Sequence, residues 1–111
     1  MAIEDRFLPV ARDADVTEGA LYGIDVGTVP VLLVRLNGAI HALGRICTHE
    51  YADLAEGELD AGCVICPLHG SRFDVITGEA LTLPALLPEP VYDVLTVDGI
   101  VYAATRSEEE D

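Results

Sequence analysis

The stretch CPLHGSRFD, residues 66–74, sets Cys66 and His69 three positions apart, with Pro67 between them and Gly70 and Ser71 after. Upstream, CTHE at residues 47–50 holds a second pair, Cys47 and His49. Together the two boxes read C-x-H, sixteen residues, C-x-x-H. Thiolate and imidazole both bind borderline and soft metals, so two such pairs in a short chain read as a metal site. Zinc would accept two of each in a tetrahedron. A one-residue gap between Cys47 and His49 is nevertheless tight for closing on one ion, and suits ligands that diverge to two adjacent metals. A four-thiolate iron–sulfur cluster needs four cysteines, and the chain has three, Cys47, Cys63 and Cys66. Beside zinc there remains a mixed cluster, two irons and two sulfides, with cysteines on one iron and histidines on the other.

Around these boxes the chain reads as strands. Residues 7–11, 20–26, 29–36 and 39–43 are short apolar or alternating runs parted by turn signals. Asn37-Gly38 between two of them is a strong hairpin signal, and Asp98-Gly99 between VYDVLTV and IVYAAT is another. Further turns fall at Asp60-Ala61-Gly62 and Thr77-Gly78. No stretch keeps a helical period over three turns, so the expected fold is all-β, an antiparallel sandwich or small barrel. Both Cys/His pairs then lie in loops hanging from hairpins, and adjacent hairpins can aim their tips at one object. LPALLPEP, residues 83–90, is a third loop, stiffened by three prolines that bar it from a central strand.

The charge is lopsided: 20 acidic residues against 6 basic ones, a net charge of −14 over 111 residues. Such a surface repels phosphate backbones and anionic lipids, which argues against nucleic-acid or membrane partners, and attracts a protein with a basic patch. No apolar run reaches the roughly 18 residues that cross a bilayer, and the first fifteen residues carry no signal-peptide stretch. The expected address is the cytoplasm, where cysteines at these spacings bind metal more often than they form disulfides. Cys63 makes a C-x-x-C with Cys66, but within the run CVI it reads as a buried, inert thiol. His41 reads as a half-exposed strand residue.

CTH followed after sixteen residues by CPLHGSRFD resembles the Rieske fingerprint, with Pro67 and Gly70 in place. The likeness runs from about residue 7 to residue 104. It implies a Rieske-type β-sandwich over residues 1–105 with a smaller cluster-binding lobe of two hairpin loops at about 44–75; the run of like charge at 106–111 reads as an acidic, frayed tail. The likeness further implies one [2Fe-2S] cluster per chain, with Cys47 and Cys66 on the inner iron and His49 and His69 on the outer. The proline loop of the family closes over the cluster, which points to Pro84. Respiratory members cross-link the two loops through cysteines; Ala52 and Leu68 stand at those positions here. High-potential members also aim a serine and a tyrosine hydroxyl at the cluster, where this chain has Ser71 and Phe73. Losing the tyrosine hydroxyl implies a potential near the low end of the range, roughly −150 mV, with Ser71 either bonded to the cluster or a plain turn residue.

The chain most resembles the ferredoxin components of bacterial aromatic-ring dioxygenases. This implies a cytoplasmic, monomeric one-electron carrier between a flavin-dependent ferredoxin reductase and a terminal oxygenase, docking near His49 and His69. It is not expected to be an enzyme, because an oxygenase iron needs two more histidines and a carboxylate, and only His41 is left. Two rivals stand: the Rieske-like small subunit of an assimilatory nitrite reductase, and a zinc-stabilised interaction module.

Overall fold

In the computed structural model, residues 3–49, 51–68, 70–83 and 85–106 are described. Their strands are β1 (Leu8–Arg12), β2 (Leu21–Val26), β3 (Val29–Leu36), β4 (Ala39–Gly44), β5 (Glu58–Asp60), β6 (Cys63–Ile65), β7 (Arg72–Asp74), β8 (Val91–Val97) and β9 (Ile100–Ala104). Among the described residues the helical pieces are two 3₁₀ turns, Asp13–Asp15 and Leu54–Glu56. The all-β expectation holds, and every ladder between these strands is antiparallel.

Six strands form one sheet in the order β1-β9-β8-β4-β3-β2, whose two edge strands come into contact, so the sheet curls toward a barrel. Pro9 lies in edge strand β1, and the register slips between Pro9 and Ala11, as a strand lacking one N–H tolerates. The remaining three strands make a small sheet, β5-β6-β7. The two hairpin signals close as expected. Leu36 faces Ala39 across Asn37 and Gly38, and Val97 faces Ile100 across Asp98 and Gly99. All four turn residues have positive φ, the mark of a type I′ turn. The turn between β5 and β6 also needs two left-handed residues, and it places Ala61 at φ 51°, a conformation strained for any residue with a Cβ.

Strand β3 explains how the two parts join. Its run Val31-Leu32-Leu33-Val34 is buried throughout rather than on alternate residues. Val31 and Leu33 pack inside the curled sheet with Val16, Val26, Ala42, Val101 and Ala103. Leu32 and Val34 face the other way, against Leu54, Val64, Phe73 and Val75 of the small lobe. A strand covered on both faces reads as a continuous apolar run. The lobe is therefore seated on β3 by a core of its own, and that core holds Cys47 and Cys66.

His41 is half-buried in β4 opposite Val34. Cys63 is buried in β6, its Sγ 3.9 Å from the carbonyl of Ala61. Arg106, first residue of the expected tail, has its carbonyl bonded by Arg6 Nη1 at 2.9 Å, while residues 107–111 lie outside the described residues.

Candidate metal centre

The two ligand loops share one hydrogen-bond frame. The Cys47 N–H donates to the Ala52 carbonyl at 2.9 Å, and the Cys66 N–H donates to the Ser71 carbonyl at 2.9 Å. In each loop the cysteine amide thus closes on the residue five positions later. The first loop is based on an antiparallel bridge between Ile46 and Asp53, and on the Leu54 N–H donating to the Arg45 carbonyl at 2.7 Å. The Asp53 carboxylate then accepts from the Ala55 N–H at 2.9 Å and starts the 3₁₀ turn Leu54–Glu56. The Arg45 guanidinium ties this base to β2, donating to the Ile24 carbonyl at 2.8 Å beside Asp25 at 3.2 Å. The second loop is the hairpin connection of β6 and β7. It turns at Gly70, φ +75°, whose N–H donates to the Cys66 carbonyl at 3.1 Å.

A third segment straps the two loops together. Thr48 Oγ1 donates to the Leu87 carbonyl at 2.7 Å, and Ser71 Oγ accepts from the Ala85 N–H at 3.0 Å. Thr82 Oγ1 accepts from the Arg72 N–H at 2.9 Å. The proline loop thus bonds to both ligand loops, where respiratory relatives would use a disulfide. Ala52 and Leu68 occupy the positions of that disulfide, the first buried and the second exposed. The Ser71 hydroxyl, buried, serves as acceptor for the strap, and Phe73 is buried in the lobe core.

Glu89 completes the strap from within. Its side chain is only 3% exposed, accepts from the Thr48 main-chain N–H, and lies where a Cβ on Gly44 would collide with Oε1. Its Oε2 has no hydrogen-bond partner among the described residues. Burial lifts this carboxyl from the ordinary 4.5 to about 7, with the Thr48 N–H pulling weakly the other way. Nearby, burial and the charge of Glu89 together raise the Tyr92 hydroxyl.

Of the expected ligands, Cys47 and Cys66 are 5% and 3% exposed and share the lobe core, whereas His49 is exposed. A cleft of about 490 Å³ opens beside Cys47, Thr48, His49 and Tyr51. His69 and Pro84 lie outside the described residues, and among the described residues no three His, Cys, Asp or Glu side chains gather as a metal-binding group. The donors that are described fit a cluster bound by thiolate on its inner side and by imidazole toward solvent. Sequence reading missed Arg45, Thr48 and Glu89. A glutamate between two prolines carries every mark of an exposed loop residue, and only the packing of Gly44 against it shows otherwise.

An all-β protein with two buried cysteines in one core and an exposed histidine two residues from the first matches the make-up of an iron–sulfur carrier. The sequence profile of the Rieske [2Fe-2S] domain matches residues 6–96, and the chain belongs to that family. It is 34% identical over 99 residues to the ferredoxin CarAc of Metapseudomonas resinovorans, covering 88% of this chain and 92% of that one. It is 38% identical over 80 residues to the ferredoxin component of the naphthalene 1,2-dioxygenase/salicylate 5-hydroxylase systems of a Ralstonia species, covering 72% and 77%. Among solved structures it superposes with a TM-score of 0.86 on a chain from the complex of reduced oxygenase and oxidized ferredoxin in carbazole 1,9a-dioxygenase. That match has 32% identity and covers 96% of this chain and all of the other. The family and these ferredoxins imply a [2Fe-2S] cluster and electron transfer rather than catalysis. Among the described residues no helix is long and apolar enough to cross a membrane.

Proposed function

We propose that Cys47 and Cys66 hold the inner iron of the cluster and His49 and His69 the outer one, near Ser71 and Pro84. On this reading the chain, as a cytoplasmic monomer, carries single electrons from a flavin-dependent ferredoxin reductase to a terminal aromatic-ring dioxygenase. The cluster, when bound, supplies reversible one-electron exchange. The chain's residues do the rest: the lobe core keeps water from both thiolates, the paired five-residue loops fix their spacing, and the exposed side presents His49 to a partner. Phe73 offers no hydroxyl, which supports a low potential, roughly −150 mV, while Ser71 accepts from Ala85 and keeps its own O–H as a donor.

The observation that carries this reading is the contrast between two buried cysteines in one core and an exposed histidine two residues from the first. Iron and acid-labile sulfide in equal amounts, with two distinct ferric sites in the Mössbauer spectrum, are the expected result. Cys47→Ser abolishes the visible absorbance, and His69→Cys moves it toward that of an all-thiolate pair. Zinc without sulfide, or an unchanged spectrum in either variant, overturns the ligand assignment.

A further inference from the structure

At the end of the molecule that carries the ligand loops, two of the three segments carry no charge. In a chain with 23% charged residues, neither 61–71 nor 80–88 contains an Asp, Glu, Lys or Arg. The first loop keeps acidic residues, Glu50 in its sequence and Asp53, which caps Ala55, lies 3.5 Å from Arg45 Nε and stays partly exposed. Beside these acids the three segments expose large apolar side chains: Tyr51 at 98%, Leu86 at 79%, and Leu68, Leu83 and Leu87 each more than half exposed. Tyr51 lines the cleft with Cys47 and His49 and also a hollow with Pro67 and Leu68, edged by Asp53 and Glu56, and the Thr48–Leu87 bond brings the proline loop alongside.

A monomer seldom shows so many large apolar side chains together without a use for them. Interface cores are depleted of charge and enriched in tyrosine, and the residues that anchor them are most often Trp, Tyr or Arg. The remainder of the chain is strongly acidic, with a net charge of −14, so a second copy is repelled and a cationic protein attracted.

Building on the electron-carrier reading, we propose that Tyr51, with Leu68, Leu83, Leu86 and Leu87, is the anchoring face for a redox protein whose own centre opens on an apolar patch ringed by Lys and Arg. Tyr51 is its central contact. The acidic body draws that partner in, the apolar side chains make the contact, and Asp53 and Glu56 at the edge of the Tyr51–Leu68 hollow face the partner's basic ring. The distance for electron transfer is then set by apolar packing around His49.

The test uses the cluster-loaded protein, reduced, against two oxidants: a lysine-rimmed cytochrome c and hexaammineruthenium(III), a small complex that needs no docking face. In both, one electron leaves the protein, reducing ferric haem to ferrous or Ru(III) to Ru(II). Tyr51→Ser and Leu86→Ser/Leu87→Ser are expected to slow the reaction with cytochrome c by about tenfold, while the visible spectrum, the potential and the rate with ruthenium stay unchanged. Equal rates of wild type and variants with cytochrome c overturn the proposal, as does an equal loss with both oxidants. Concentration-dependent dimerisation of the wild type that Tyr51→Ser abolishes also overturns it, by giving the face to a second copy. Failure of the wild type to reduce either oxidant instead overturns the carrier reading beneath it.

Discussion

Glu89 holds its proton to a higher pH in the fold than in the unfolded chain, and this difference is measurable. Unfolded, the carboxyl ionises near 4.5; folded, only near 7, because burial penalises the charge. Below 4.5 both states are protonated and Glu89 adds no pH dependence. Between 4.5 and 7 the unfolded state alone releases the proton, so stability falls with rising pH by up to about 1.4 kcal/mol per unit; above 7 it levels off. Glu89→Gln removes that slope while keeping an acceptor for the Thr48 N–H. Urea midpoints of the cluster-loaded proteins should converge near neutral pH less well than they do at pH 4.5, with wild type falling relative to the variant. A constant gap across that range would refute the shifted titration. At this scale the sequence is an uneven guide. The proposed ligand set rests on residue type and spacing read together with the family likeness. The state of Glu89 does not, since it depends on Gly44 leaving room and on Thr48 arriving from 41 positions away.

Among the elements, the strap over the ligand loops depends on a few side-chain bonds, of which the buried one from Ala85 to Ser71 Oγ is the most exposed to mutation. Ser71→Ala leaves the Ala85 N–H, in a residue 3% exposed, without its partner, a cost of about 1–3 kcal/mol. The expected outcome is normal cluster incorporation with faster bleaching of the visible band on warming; an unchanged bleaching rate would show that the strap does not hold the lobe. The hairpins at Asn37-Gly38 and Asp98-Gly99 were legible because their turn chemistry is local. The two 3₁₀ turns were not, being too short to leave a period, and neither was the double burial of β3. An apolar run gives no indication of which neighbour will cover its second face, and here that neighbour is assembled from residues 20 to 50 positions further on.

For the whole molecule, charge and shape divide the work of meeting a partner. With a net charge of −14, encounter with a basic surface is accelerated at low ionic strength, and the Debye length shrinks from about 30 Å at 0.01 M salt to about 8 Å at 0.15 M. The second-order rate of electron transfer to cytochrome c should therefore drop steeply over that interval in stopped-flow measurements, in wild type and Tyr51→Ser alike, since the substitution removes contact and not charge. A rate that rises or stays flat with salt would show that the acidity plays no part in encounter. Composition alone pointed to this attraction, but not to the exposed apolar side chains beside it, because they are scattered from 51 to 87 on three loops that the strap ties together.

The pairing of β1 with β9 joins segments some ninety positions apart, whereas every ladder of the small sheet lies between residues 58 and 74. On a ribosome, the first strand must wait for almost the whole coding message to be translated, while the thiol-bearing knot can crease into shape as soon as it emerges. By the time residue 75 has cleared the exit tunnel, β9 is still inside it, so the small sheet can close while β1 has no strand to pair with.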